Sequence, residues 1–260
     1  MDNFSKLSRY LFAVAMAIFG IQHLLSALSI SPKPSPPWSP AAPAVLAIVG
    51  LLLVGCSAAL LIERYSRWAA TGLAALLILH VVVFMVPRII ARPRDPNQII
   101  GAFELLSMAA AALMIAYAAL PISKLGLIIP RLILAAALID FGTAHFLYAQ
   151  FVATLVPAWI PARLFWAYFV GAAFCATALS LITNIQVRLA GILLGVMFLI
   201  FVVTTHAPRI VHAASNPNEW TSGFVALAMI GVSWITATTS YAAQPVSVRK
   251  NSVATATANS

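Results

Sequence analysis

The chain is expected to be an all-α integral membrane protein, its eight transmembrane helices forming two parallel-repeat four-helix bundles. Three observations lead there. Composition is the first: 62% of the residues are hydrophobic and 8% charged, whereas a water-soluble globule carries about 25% charged residues. The second is a series of apolar runs, each long enough to cross about 30 Å of hydrocarbon at about 1.5 Å per residue. The third is that the chain matches itself at a shift of 121 residues, or 122 around its first histidine.

The self-match begins with Phe19-Gly20-Ile21-Gln22-His23-Leu24, which falls on Phe141-Gly142-Thr143-Ala144-His145-Phe146, and Trp38-Ser39-Pro40 falls on Trp159-Ile160-Pro161. Gly50 then meets Gly171, Arg67 meets Arg188, and Pro87-Arg88-Ile89 meets Pro208-Arg209-Ile210. Pro96-Asn97 meets Pro217-Asn218, Phe103 meets Phe224, and Met108 meets Met229. A nearly constant shift that carries Gly, Pro, Arg and His positions together is the signature of an internal duplication.

In order, the apolar runs place helices at 7–28, 42–62, 68–86, 98–120, 132–151, 164–183, 187–205 and 221–242. Four fall in each repeat, so residues 1–120 and 131–243 are the two units and 121–130, with Pro121, Lys124, Gly126 and Pro130, is the hinge. An even number of crossings makes the two units enter from the same side, as a pseudo-dimer within one chain. The first run follows Lys6 and Arg9 like a signal peptide, but its match to the helix before Pro161 argues that it is retained. Residues 31–40, SPKPSPPWSP, hold too much proline for a helix and read as an extended surface crossing anchored by Trp38. The matching stretch 153–161 has room for a helical turn, and 244–260 reads as a disordered tail.

The net charge of +9 does not imply nucleic acid, because the basic residues are scattered between apolar runs rather than clustered. Nine Lys and Arg lie on the termini and even-numbered loops against six on the odd-numbered ones, which favours both termini inside. Cys56 and Cys175 lie in apolar runs without a CxxC motif and read as small buried residues. No metal site is expected: His206 and His212 are six apart, which does not share a helix face, and no carboxylate stands at ligand spacing. Phe165, Trp166, Tyr168 and Phe169 read as lipid-facing or interfacial aromatics.

Ionisable side chains within membrane helices are functional candidates because lipid tolerates them only beside a partner or a wet cavity. These are His23, His80, Glu104, Asp140, His145 and His206, with Arg88, Arg209, His212 and Glu219 at the rims. The candidate polar pocket consists of His23, Arg88, Glu104, His145, His206 and Arg209, with no catalytic residue assigned. Under the favoured topology His23 and His145 lie toward the outer leaflet, the first about 24 Å along its helix. The Pro-Arg pairs close the third and seventh helices on that side, so one outward-facing pocket per bundle is expected. Histidine titrates near neutrality and can pass a proton or bond a carbonyl oxygen; the bland alternative is that it glues helices together. Arginine there either snorkels or holds an anion, with Glu104 as its internal option. The halves differ at four of these positions: Glu104 meets Val225, Met85 meets His206, His80 meets Phe201, and Ile18 meets Asp140.

Phe141-Gly142-x-x-His145-Phe146, Val156-Pro157-Ala158-Trp159-Ile160-Pro161, Phe165-Trp166-x-Tyr168-Phe169-Val170-Gly171 and His206-Ala207-Pro208-Arg209 resemble the DoxX family of membrane proteins. The first half matches more loosely, keeping Gly20, His23, Trp38 and Pro87-Arg88. Members of that family resemble single four-helix units, so the resemblance implies a fused tandem pair. It also implies a membrane subunit of a redox complex, working with a soluble oxidoreductase and with a quinone or a small sulfur or oxygen metabolite near His145, His206 and Arg209. A transporter or lipid-binding protein and a non-catalytic scaffold or assembly factor are the other readings. The expected location is a bacterial inner membrane, with both termini cytoplasmic and lipid around the helices.

Overall fold

With no water available to satisfy backbone N–H and C=O groups, an apolar chain in lipid closes its hydrogen bonds within helices. The computed structural model describes residues 3–28, 42–118 and 125–242, and among these the regular structure is all helical. The helices are α1 (Asn3–Ala27), α2 (Pro43–Leu60), α3 (Glu63–His80), α4 (Val86–Ala91), α5 (Pro96–Ala118) and α6 (Leu125–Leu147). They continue with α7 (Ala149–Leu155), α8 (Arg163–Thr183), α9 (Val187–Phe201), α10 (Ala207–His212) and α11 (Pro217–Ala242). The expected stretch 31–40 with Trp38, the tail 244–260 and the start of the 121–130 hinge lie outside the described residues.

Eight helices among the described residues are long and apolar enough to cross a membrane. Two of them are much longer than expected. The third span runs Glu63–Ala91 and the seventh Val187–His212, each continuing straight through its proline. The expectation that Pro87 and Pro208 stop their helices is therefore corrected. Each helix passes its proline by way of a π-helical segment, Val81–Met85 between α3 and α4 and Val202–His206 between α9 and α10. There the Val86 N–H reaches back to the Val81 carbonyl, and the Ala207 N–H to that of Val202, one residue further than in an α-helix. The helix thus restarts just ahead of each proline, in the first turn, where a missing N–H costs least. At 29 residues the third span is about 43 Å long, more than the ~30 Å of hydrocarbon, so its Arg88 end extends to the interface.

A second correction concerns the hinge. Helix α6 begins at Leu125 and holds Pro130 inside it, a proline of the kind that transmembrane helices accommodate. Arg131, expected as a loop cation, is a buried residue of α6. It donates through Nε to the Leu127 carbonyl at 3.1 Å and through Nη1 to the Asn184 side-chain oxygen. Asn184 caps α8 in the left-handed region at φ 58°, so this contact ties the start of α6 to the α8–α9 turn. In stretch 153–161, α7 covers the first residues and ends at Leu155.

Neighbouring helices run in the order α1, α2, α3, α5, α6, α8, α9, α11 and back to α1, with α5 and α11 also touching. The core follows this order, from Phe12, Met16 and Phe19 of α1 through Met108 and Ala112 of α5 to Leu138 of α6 and Met229 of α11. Large apolar side chains also cover the outside: Leu51, Leu79, Ile129, Leu193 and Val203 are all more than half exposed. Such a surface suits hydrocarbon and would aggregate in water.

Several helix pairs approach almost backbone to backbone, two of them at positions that the self-match relates. A Cβ on Gly20 would stand 2.8 Å from the Gly50 carbonyl oxygen, and one on Gly142 would stand 3.0 Å from that of Gly171. These contacts join α1 to α2 and α6 to α8, the small-residue packing that membrane helices use where burial of apolar surface gives no drive.

Candidate functional site

The close glycine contacts set the places of the first two histidines. His23 and His145 each lie one turn beyond their glycine, and each ring Nδ1 is within bonding distance of the carbonyl four residues back, Phe19 at 2.7 Å and Phe141 at 2.8 Å. A carbonyl can only accept, so Nδ1 carries the proton and donates, leaving Nε2 as the ring's acceptor. This is a bond within one helix, where glue between helices was the expected structural role.

His23 is fully buried. Its ring meets that of His80 edge to face, with centroids 6.4 Å apart, beside a cavity of about 10 Å³ whose lining includes Met16, Leu53 and Met108. That volume is of the order of a single water site. Arg88 and Glu104 do not line it. In the second half Phe201 replaces His80, and His145 packs edge to face on Phe174, at 5.2 Å, which in turn touches Phe198. One histidine thus faces another histidine, while its counterpart faces a run of aromatic rings.

The third group gathers at the far end of the seventh span. Arg209 of α10 donates from Nε and Nη2 to the two carboxylate oxygens of Glu219 in the first turn of α11, both at 2.8 Å. This bidentate arrangement is the strong form of an arginine–carboxylate pair. His206 precedes Arg209 by one turn, and the charges of Arg209 and Glu219 both act on it. Its Nδ1 is buried and has no hydrogen-bond partner among the described residues. Gly223 of α11 allows this close packing, since a Cβ there would meet the Cβ of His206 at 3.6 Å and Ile210 at 2.8 Å. The sequence marked Glu219 only as a rim residue, but a carboxylate ten positions from the arginine across a proline turn is the signal that finds this pair.

Glu104, the internal option weighed for the Pro-Arg arginines, has no ion pair among the described residues. Asp140 buries its Oδ2 and Gln22 its Oε1 with no hydrogen-bond partner among the described residues. Cys56 and Cys175 are free thiols, and no cluster of three His, Cys, Asp or Glu side chains able to hold a metal occurs among the described residues. Thus His23 is brought to His80, and His206 to Arg209 and Glu219, whereas His145 meets aromatic rings. Comparisons with protein-family models, with characterised proteins and with solved structures find no match for the chain.

Proposed function

We propose that the chain is a tandem pair of DoxX-like four-helix units, serving as a membrane subunit of a quinone-linked redox complex whose polar site is His206 with Arg209 and Glu219. One observation carries the choice of site: the buried, unpartnered Nδ1 of His206 on a π-helical segment. A buried polar atom left without a partner needs an explanation, and π-helical turns are frequent at functional sites. A protonated Nδ1 is the donor that a quinone carbonyl oxygen requires, and a quinone bound there would supply two-electron, two-proton carrier chemistry. The chain's own part is to offer a hydrogen bond or a proton at His206 Nδ1 and to hold the imidazole beside the Arg209–Glu219 pair. The electrons come from a soluble partner protein.

The tandem reading is supported by the paired local geometry: the two Nδ1 bonds, the two π-helical segments before Pro-Arg, and the two glycine contacts. The distribution of Lys and Arg supports cytoplasmic termini in a bacterial inner membrane. A scaffold role is favoured by a separate observation, that His23 and His145 bond their own helices beside close glycine-mediated helix contacts.

Native purification of the full chain in mild detergent, with mass spectrometry of copurifying proteins and extracted quinones, tests the proposal. His206→Ala should lose quinone and partner at unchanged yield, while His145→Ala keeps them. An unchanged set of partners in His206→Ala moves the assignment to a scaffold.

A further inference from the structure

The self-match at a shift of 122 places Arg9 of α1 on Arg131 of α6. Both are buried, Arg9 at 4% exposure and Arg131 at 9%, but their hydrogen bonds differ. Arg131 donates from Nε to the Leu127 carbonyl and from Nη1 to the Asn184 side chain. The Nε of Arg9 is buried with no hydrogen-bond partner among the described residues. Two substitutions account for the difference. Ser8 stands where the second half has Pro130, and its hydroxyl donates at 2.9 Å to the Ser5 carbonyl, the counterpart of the one that Arg131 uses. Glu63 stands where the second half has Asn184, and it makes no ion pair among the described residues.

Glu63 nevertheless belongs to the same place in the fold. Gly20 packs on Gly50 and Gly142 on Gly171, and each of these helix pairs consists of consecutive spans running in opposite directions. Arg9 lies 11 residues before Gly20, level with Leu61, which lies 11 after Gly50; Arg131 is level with Ile182 by the same count. In each half the acceptor position is two residues further on, and Arg131 spans that distance. What differs is the turn. Helix α8 continues to Thr183, Asn184 and Gln186 take left-handed backbone at φ 58° and 54°, and α9 starts at Val187. Helix α2 stops at Leu60 and α3 already starts at Glu63, which leaves that side chain exposed. Glutamate and tyrosine enter the left-handed region less readily than asparagine, which favours the helical form. That first turn is weakly held. Ile62 gives it no side-chain cap, Glu63, Arg64 and Tyr65 are exposed, and the first buried residue is Ser66, the counterpart of Val187. Unwinding as far as Ser66 therefore uncovers no core.

We propose that the α2–α3 turn is a latch. In its closed form the first three residues of α3 adopt the turn seen between α8 and α9, and the Glu63 carboxylate accepts from the Arg9 guanidinium, tying the start of α3 to α1. The drive is the buried cation: a guanidinium without an acceptor in the interior is strongly destabilising, and a carboxylate is the acceptor its fork suits best. Helix α1 carries His23 and α3 carries His80, so the latch acts on the two helices that frame the first-half cavity. This inference rests on the self-match and the two turns, and is independent of the redox proposal.

The test is a double-mutant cycle on the full chain in detergent, with wild type, Arg9→Met, Glu63→Gln and the double variant followed by thermal unfolding. Because Glu63 meets no arginine in the helical form of the turn, coupling between the two positions reports the closed form. Glu63→Gln should lower the melting temperature of wild type by at least about 2–4 °C and leave that of Arg9→Met unchanged. The favourable placing of Glu63 at a helix start is lost equally in both backgrounds, so it does not imitate coupling. An equal shift in the two backgrounds, zero included, overturns the proposal. If Arg9→Met does not accumulate, Arg9→Glu with and without Glu63→Arg decides instead: a yield restored by the exchange supports the pair, and an unrestored one overturns it.

Discussion

At the scale of single residues, two histidines with the same local hydrogen bond have different surroundings. His23 has no exposed surface, while His145 keeps part of its surface open. Truncation at position 23 leaves a void that nothing on α2, α3 or α5 can fill without moving. His23→Ala should therefore cost about 2–4 kcal/mol, in the range of large-to-small core substitutions. His145→Ala should cost clearly less, and unfolding monitored in detergent would reveal the order. An equal loss at both positions would mean that the shared backbone bond, not the packing, sets their value. The Arg209–Glu219 pair is a weaker contributor to stability than its geometry implies, because the arginine side chain is 42% exposed and partly screened.

Among the elements, the contact between α1 and α2 is set by glycine. A methyl group at Gly20 would stand 2.8 Å from a backbone oxygen, and the backbone cannot swing aside as a side-chain tip does. Gly20→Ala should push the two helices apart at a cost of about 1–3 kcal/mol, as overpacking does. Gly55, on the same helix as Gly50, has nothing within 4 Å of where its Cβ would be. Gly55→Ala should be neutral or stabilising by up to ~1 kcal/mol through helix propensity. Thermal unfolding of the two variants side by side measures the difference, and a destabilised Gly55→Ala would contradict the open space at that position. The π-helical segments act at this scale too, since the extra residue in the turn carries the helix across its proline and brings His206 to α11.

For the molecule as a whole, the helix neighbours cross the boundary between the expected units. Helix α1 closes against α11, α6 closes against α5, and α5 touches α11. A single core runs through both halves. Neither half buries its apolar faces alone, so a chain cut between residues 118 and 125 should need both fragments together. Each fragment expressed singly should be degraded or aggregated, and coexpression with a tag on one fragment should recover both in detergent. Recovery of a stable, folded single fragment would show that the units are independent bundles.

Sequence alone determined the class of the protein, the number of spans and most of their places, because hydrocarbon imposes a length and an apolar composition that are written locally, residue by residue. It also marked Gly20, His23, Gly142, His145 and the Pro-Arg pairs, since a chain matched against itself shows which positions recur. Only tertiary structure decided what those positions do. Whether a proline ends a helix depends on the turn before it, and the π-helical segments at Val81–Met85 and Val202–His206 let both helices continue. Whether Arg209 meets Glu104 or Glu219 depends on which helix start lies beside α10, a matter of chain reversal and packing. The same holds for His23 and His80, brought together from different helices by the close approach of α1 to α2 and the packing of α3 between α2 and α5. Partners of that kind are set by distances between helices, which no local pattern encodes.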